Sequence, residues 1–114
     1  MAMTPEGKVK AMVNRRLKPY EERGQLWKFM PVQTGFGKPG LDYHITVGGR
    51  SVYIETKTTI GTLTARQQET CVAIRKAGGE VYIVRCEDDM AYVVHCIDKI
   101  LADEALRLKC SSTA

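Results

Sequence analysis

Apolar positions in this chain follow two different periods, and the places where one gives way to the other divide it into elements. Val9, Met12, Val13 and Leu17 recur at spacings of three and four, which is one face of a helix. Thr4, Pro5 and Glu6 just before them suit an N-cap, a first helical position and an acid in the first turn. The spacing predicts a helix from residue 4 to about residue 17, ended by Pro19 and Gly24. Residues 26–32 (LWKFMPV) are aromatic-rich and extended in character, and the glycine-rich stretch 33–40 reads as a loop.

Residues 43–47 and 51–57 flank Gly48-Gly49-Arg50 and read as a β-hairpin, because paired glycines accept the positive φ angles of a tight turn. In the second strand Val52 and Ile54 share one face and Tyr53, Glu55 and Lys57 the other. Thr64 with Gln67 three residues on forms a capping-box pattern, so a helix is predicted through Ala77, ended by Gly78-Gly79. A strand at 80–85, a turn at Glu87-Asp88-Asp89, a further strand at 90–94 and an amphipathic helix from 97 to about 109 complete the reading. The pattern predicts one domain over residues 1–114, with a core at about 4–95 and a C-terminal helix at about 97–109.

Composition changes this picture little: 44% hydrophobic and 26% charged residues describe an ordinary globular domain and exclude a disordered chain. A net charge of +4 suits a polyanionic partner without requiring one. Cys71, Cys86, Cys96 and Cys110 show neither a CxxC pair nor zinc-ligand spacing, and read as reduced thiols of a cytoplasmic protein. The start of the chain lacks the apolar core of a secretory signal, and there is no long apolar run, so an intracellular protein with no membrane partner is expected.

Candidate chemistry centres on the hairpin. Its register sets Asp42 opposite Glu55, about 5 Å apart at Cβ. Two like charges so placed repel unless a cation lies between them, and a hard divalent ion such as Mg²⁺ takes carboxylate oxygens at about 2.0–2.1 Å. Lys57 shares the face of Glu55, where an ammonium stabilises charge developing on a phosphoryl group. The bland alternative is a turn-closing Asp42 beside an exposed Glu55–Lys57 ion pair on an edge strand. Against it stand the apolar run that leads into Glu55 and the glycine loop that brings bare backbone to Asp42.

The runs GKPGLD, VYIETK, GTLTARQ, KAGG and EVYIVR, in that order, resemble the VRR-NUC domain of the PD-(D/E)xK nuclease superfamily over residues 4–89. The resemblance implies an α/β fold with a restriction-endonuclease-like αβββαβ core, a mixed central sheet flanked by helices. It also implies a Mg²⁺- or Mn²⁺-dependent endodeoxyribonuclease. Carried over by position, Asp42, Glu55 and the Thr56 main-chain carbonyl would hold the metal and Lys57 would be the catalytic lysine. Gln67 would support the site, and Glu6 would reach the metal through water. Leu41 stands where the family usually has proline, and the metal needs only the carboxylate that follows. Gln67 is preferred to its neighbour Gln68 because a helix turns about 100° per residue and only Gln67 keeps the L-T-x-x-Q spacing.

Lys38 in the glycine loop, with Lys8 and Arg15 on the first helix, are candidate DNA contacts, although a solvated helix face explains the last two equally well. His44 reads as a strand histidine satisfied by a neighbour, and Trp27 and Phe29 as core residues sooner than base-stacking ones. Together these features lead to an expected dimeric, structure-specific DNA endonuclease, a Holliday-junction resolvase of phage or bacterial type. The alternatives are a flap, nick or non-specific nuclease and a silent DNA-binding module.

Overall fold

Thr4 caps the first helix by accepting a hydrogen bond from the Gly7 N–H, and Pro5 occupies its first position, where no intrahelical donor is needed. The computed structural model describes residues 3–32 and 40–112, and its elements run α1 (Pro5–Glu22), β1 (Leu26–Phe29), β2 (Tyr43–Val47), β3 (Arg50–Thr56), α2 (Ala65–Lys76), β4 (Glu80–Val84) and α3 (Glu87–Ser112). α1 continues through Pro19 instead of stopping before it. A proline inside a helix costs about 3 kcal/mol. Burial of Tyr20 on the same face as Leu17 recovers about as much, and its hydroxyl donates to Asp98 of α3. Gly24, at φ 70, then ends the helix: its N–H bonds Glu21 O, and Gln25 N–H reaches back to Tyr20 O.

The hairpin forms as its glycines predict, with Gly48 at φ 55 and Gly49 at φ 76, and the register pairs Tyr43 with Ile54 and Val47 with Arg50. β1 adds antiparallel to β2, and β4 adds parallel to β3 after the α2 crossover, giving a mixed sheet in the order β1-β2-β3-β4. Thr64 and Gln67 make both bonds of the capping box that opens α2.

One sheet face carries Tyr43, Ile45, Val47, Val52 and Ile54 into the main core, where α1 supplies Met12, Val13 and Leu17 and α3 supplies Met90, Val93 and Ile97. The opposite face is covered only in part. α2 packs there over the β4 edge around Leu41, Cys71 and Val81.

α3 differs most from the sequence expectation. Residues 90–94 form helix, not strand, and 87–89 are its first turn, so the last helix starts ten positions before the expected residue 97. A short apolar run such as Met90–Val94 fits either period taken alone. Met90, Val93, Ile97 and Ile100 are all buried at spacings of three and four, which only a helix satisfies. Glu87, Asp88 and Asp89 favour the positive helix start, and the Asp89 carboxylate accepts the Arg85 N–H at 2.8 Å.

Candidate active site

Asp42 precedes β2 and Glu55 lies near the end of β3, so the hairpin register sets them side by side at one end of the sheet. Asp42 Oδ2 accepts from Thr56 twice, from its N–H at 2.9 Å and its hydroxyl at 2.6 Å. The Asp42 N–H donates to Glu55 Oε1 at 3.2 Å. Glu55 Oε2 accepts from Gln67 Nε2, also at 3.2 Å. Asp42 Oδ1, not engaged by Thr56, faces the Lys10 ammonium at 3.7 Å. A strand residue directs its N–H and C=O to the same edge. Since the Thr56 N–H points at Asp42 while Lys57 N–H bonds Val84 O on the β4 side, the Thr56 carbonyl faces the carboxylate side too.

The two carboxyl groups are driven apart in acidity. Glu55 is only 2% exposed, and burial, the hydrogen bond to Asp42 and the Asp42 charge push its pKa up to about 8, with the Lys57 charge pulling the other way. Burial raises Asp42 as well, but hydrogen bonds from Thr56 and Glu55 and the Lys10 charge outweigh it and hold the carboxyl below its ordinary value. Without a cation the pair therefore keeps one proton at neutral pH. The donor set suits a hard divalent ion: two carboxylates and a main-chain carbonyl. Among the described residues no group of three or more His, Cys, Asp or Glu side chains could hold a metal, so the side-chain ligands would be these two alone. Glu6 is exposed in the first turn of α1 and stands in no such group with them.

Gln67 has two jobs that share one side chain. Its Oε1 closes the α2 cap on Thr64 N–H, and its Nε2 holds Glu55. Gln68 turns away and bonds Leu63 O. Lys57 follows β3, and the turn after it is tied down by the Arg85 guanidinium, which donates to Thr58 O at 2.7 Å and also to Gly61 O. Glu55 is buried, so the exposed Glu55–Lys57 pair on an edge strand does not form; β3 is an interior strand.

Sequence reasoning missed three contributors. They are Lys10, which reaches Asp42, the Thr56 hydroxyl, which donates to it, and Arg85, which ties down the turn after Lys57. The only available signal was that Lys10 lies one helical turn beyond Glu6. Of the DNA-contact candidates, Lys8 is exposed on α1, Arg15 pairs with Glu87 at 2.7 Å, and Lys38 lies outside the described residues. His44 stacks on Tyr53 with ring centroids 4.4 Å apart. Trp27 and Phe29 are not core residues: they are 60% and 47% exposed.

A solved structure described as a VRR_NUC domain superposes on this chain with a TM-score of 0.68, covering 82% of this chain and 97% of that one. The fold is that of a VRR_NUC domain. Sequence identity over the match is 17%, so the likeness is one of architecture: a mixed four-stranded sheet flanked by helices, restriction-endonuclease-like in form. By sequence alone, no protein-family model and no curated protein matches. In the VRR_NUC fold as built here, the carboxyl end of β3, the start of β2, α1 and the first turn of α2 meet at Asp42 and Glu55. Among the described residues, no helix is long and apolar enough to cross a membrane.

Proposed function

We propose that the protein is a divalent-cation-dependent endonuclease that hydrolyses phosphodiester bonds in DNA. The observation that carries this reading is the buried Glu55 carboxyl, held by Gln67 and set against Asp42. A purely structural carboxyl is rarely buried beside another, and here the Lys10 ammonium meets only Asp42, whereas a hydrolytic metal site needs that pairing. Asp42, Glu55 and the Thr56 carbonyl would hold Mg²⁺ or Mn²⁺, which supplies Lewis-acid polarisation of a phosphoryl oxygen. Thr56 fixes the Asp42 carboxylate through one oxygen and leaves the other to the Lys10 ammonium, while Gln67 fixes Glu55. Lys57 offers a positive charge for the negative charge that builds on the phosphoryl group as the bond breaks. Glu6 would contribute through water, and Lys38 and Lys8 would hold neighbouring phosphates. Arg15, already paired with Glu87, would contribute less.

The finer reading is a dimer acting on branched DNA, a four-way junction first of all. Two-fold pairing would present two sites to the two strands to be cut. Flap, nicked or non-specific DNA is the competing substrate class.

A cleavage panel tests both levels: labelled four-way junction, flap, duplex and single strand, each with Mg²⁺, Mn²⁺ or EDTA. Cleavage requiring metal is expected, lost in Asp42→Ala and Glu55→Ala while DNA binding persists, and reduced roughly 100-fold or more in Lys57→Ala. Unchanged cutting by Lys57→Ala removes the lysine from the chemistry. Metal-independent binding without cutting would identify a silent DNA-binding module. Paired symmetric nicks confined to the junction select the resolvase, and equal cutting of every substrate rejects it.

A further inference from the structure

We infer that the open sheet face beside the carboxylates is a stacking platform for unpaired nucleobases, so that the nucleic acid cut here carries, or is opened on binding to expose, unpaired nucleotides next to the cleaved bond. The cut rests on the nuclease reading; the binding does not. β1 sends Leu26 and Lys28 toward α1, where Lys28 Nζ reaches Asn14 at 2.8 Å and Glu21 at 3.3 Å. Alternation then directs Trp27 and Phe29 to the opposite face. There the two rings stack on each other, centroids 5.9 Å apart and 11° from parallel, with most of Trp27 in solvent. The register continues the row inward, pairing Phe29 with His44 and His44 with Tyr53, and those last two rings are stacked in turn. Aromatic side chains thus cross three strands in one line.

The line is contiguous with the site. His44 is two residues from Asp42 and Tyr53 two from Glu55, so the carboxylates form the next row on the same face, about 7 Å along the strands. Between His44, Tyr53 and α2 opens a cavity of about 870 Å³, whose α2 wall presents Arg66, Glu69 and Thr70. Its size is within the range of small-molecule sites. Its lining suits a base better than a second copy of the chain: ring faces for stacking, and charged and hydroxyl groups with both donors and acceptors for a base edge. Single-strand binders combine these features because every base has a π-face.

Trp27 is the single tryptophan of the chain, so its fluorescence reports on this face alone. The test titrates the protein with an oligothymidylate, and separately with a duplex of the same length, in EDTA so that nothing is cut. Quenching by the oligothymidylate and not by the duplex is expected. With a dye-labelled oligothymidylate, Trp27→Ala and Phe29→Ala should each weaken binding by roughly tenfold, and Trp27→Phe should restore it. Oligothymidylate binding that leaves the fluorescence unmoved, or that both alanine variants retain, overturns the proposal. So does a halved sedimenting mass for Trp27→Ala, which would assign the face to a second copy. Quenching by a protein that cuts nothing with Mg²⁺ keeps the platform and removes the nuclease. Duplex cleavage by Trp27→Ala at the native rate, with the oligothymidylate bound as tightly as by the native protein, does the reverse.

Discussion

At Glu55 a nearly inaccessible carboxyl faces a second carboxyl, and the fold tolerates it in the absence of a cation by keeping it protonated. A carboxyl whose pKa is raised in the folded state, here from 4.5 to about 8, binds its proton more tightly folded than unfolded. Stability of the metal-free protein therefore falls as pH rises through that window. Glu55→Gln keeps the shape and cannot ionise, although its amide nitrogen replaces one of the two oxygens that accept from Asp42 N–H and Gln67 Nε2. In EDTA at pH 8 it is expected to melt higher than the native protein, by about 4 °C for each 1 kcal/mol recovered, while cleavage is lost. Thermal scans from pH 5 to 8 check this, and a native protein whose melting temperature does not decline across the window contradicts the assigned acidity.

Among the elements, the hairpin sets the site, because its turn fixes which residue of β2 meets which of β3. Gly48 is constrained twice: its φ of 55 disfavours any side chain, and a Cβ there would come within 2.6 Å of the Ile100 Cγ2 of α3. Gly48→Ala should cost about 2 kcal/mol, read as a lowered midpoint in urea with an unchanged slope. α2 contributes through Gln67, which ties its capping box to Glu55. Gln67→Ala should lose about 1 kcal/mol from the cap and release one oxygen of Glu55, so cleavage should fall further than stability alone explains. Urea midpoints and cleavage rates measured on one preparation separate the two effects.

For the whole molecule, the helices are distributed unequally: α1 and α3 bury one face of the sheet, and α2 covers the β4 edge of the other. The aromatic row lies on the less covered face, where the cavity beside His44 and Tyr53 leaves room for a polymer to approach, and the carboxylates follow it in register. A cation bound there stabilises the entire cooperative unit by mass action. Mg²⁺ at about 100 times its dissociation constant should add about 2.7 kcal/mol to the native protein and almost nothing to Asp42→Asn. Thermal melts with and without the ion distinguish the two, and equal shifts would assign the binding elsewhere.

Local chemistry was legible in the sequence wherever a short segment decides its own conformation. The paired glycines fixed the hairpin register and with it the meeting of Asp42 and Glu55, and Thr64 with Gln67 fixed the start of α2. Burial at a distance was not legible, because it depends on partners far along the chain. Tyr20 holds α1 past Pro19 only because α3 lies beside it, and residues 90–94 are helical only because the core takes Met90, Val93 and Ile97 together. The same holds at the site: Lys10 reaches Asp42 from α1, and Glu55 is buried rather than exposed because β4 and α2 enclose β3. Sequence spacing determined that the two carboxylates meet, and tertiary packing alone decided how dry, how unequal in acidity and how accessible from the open face they are.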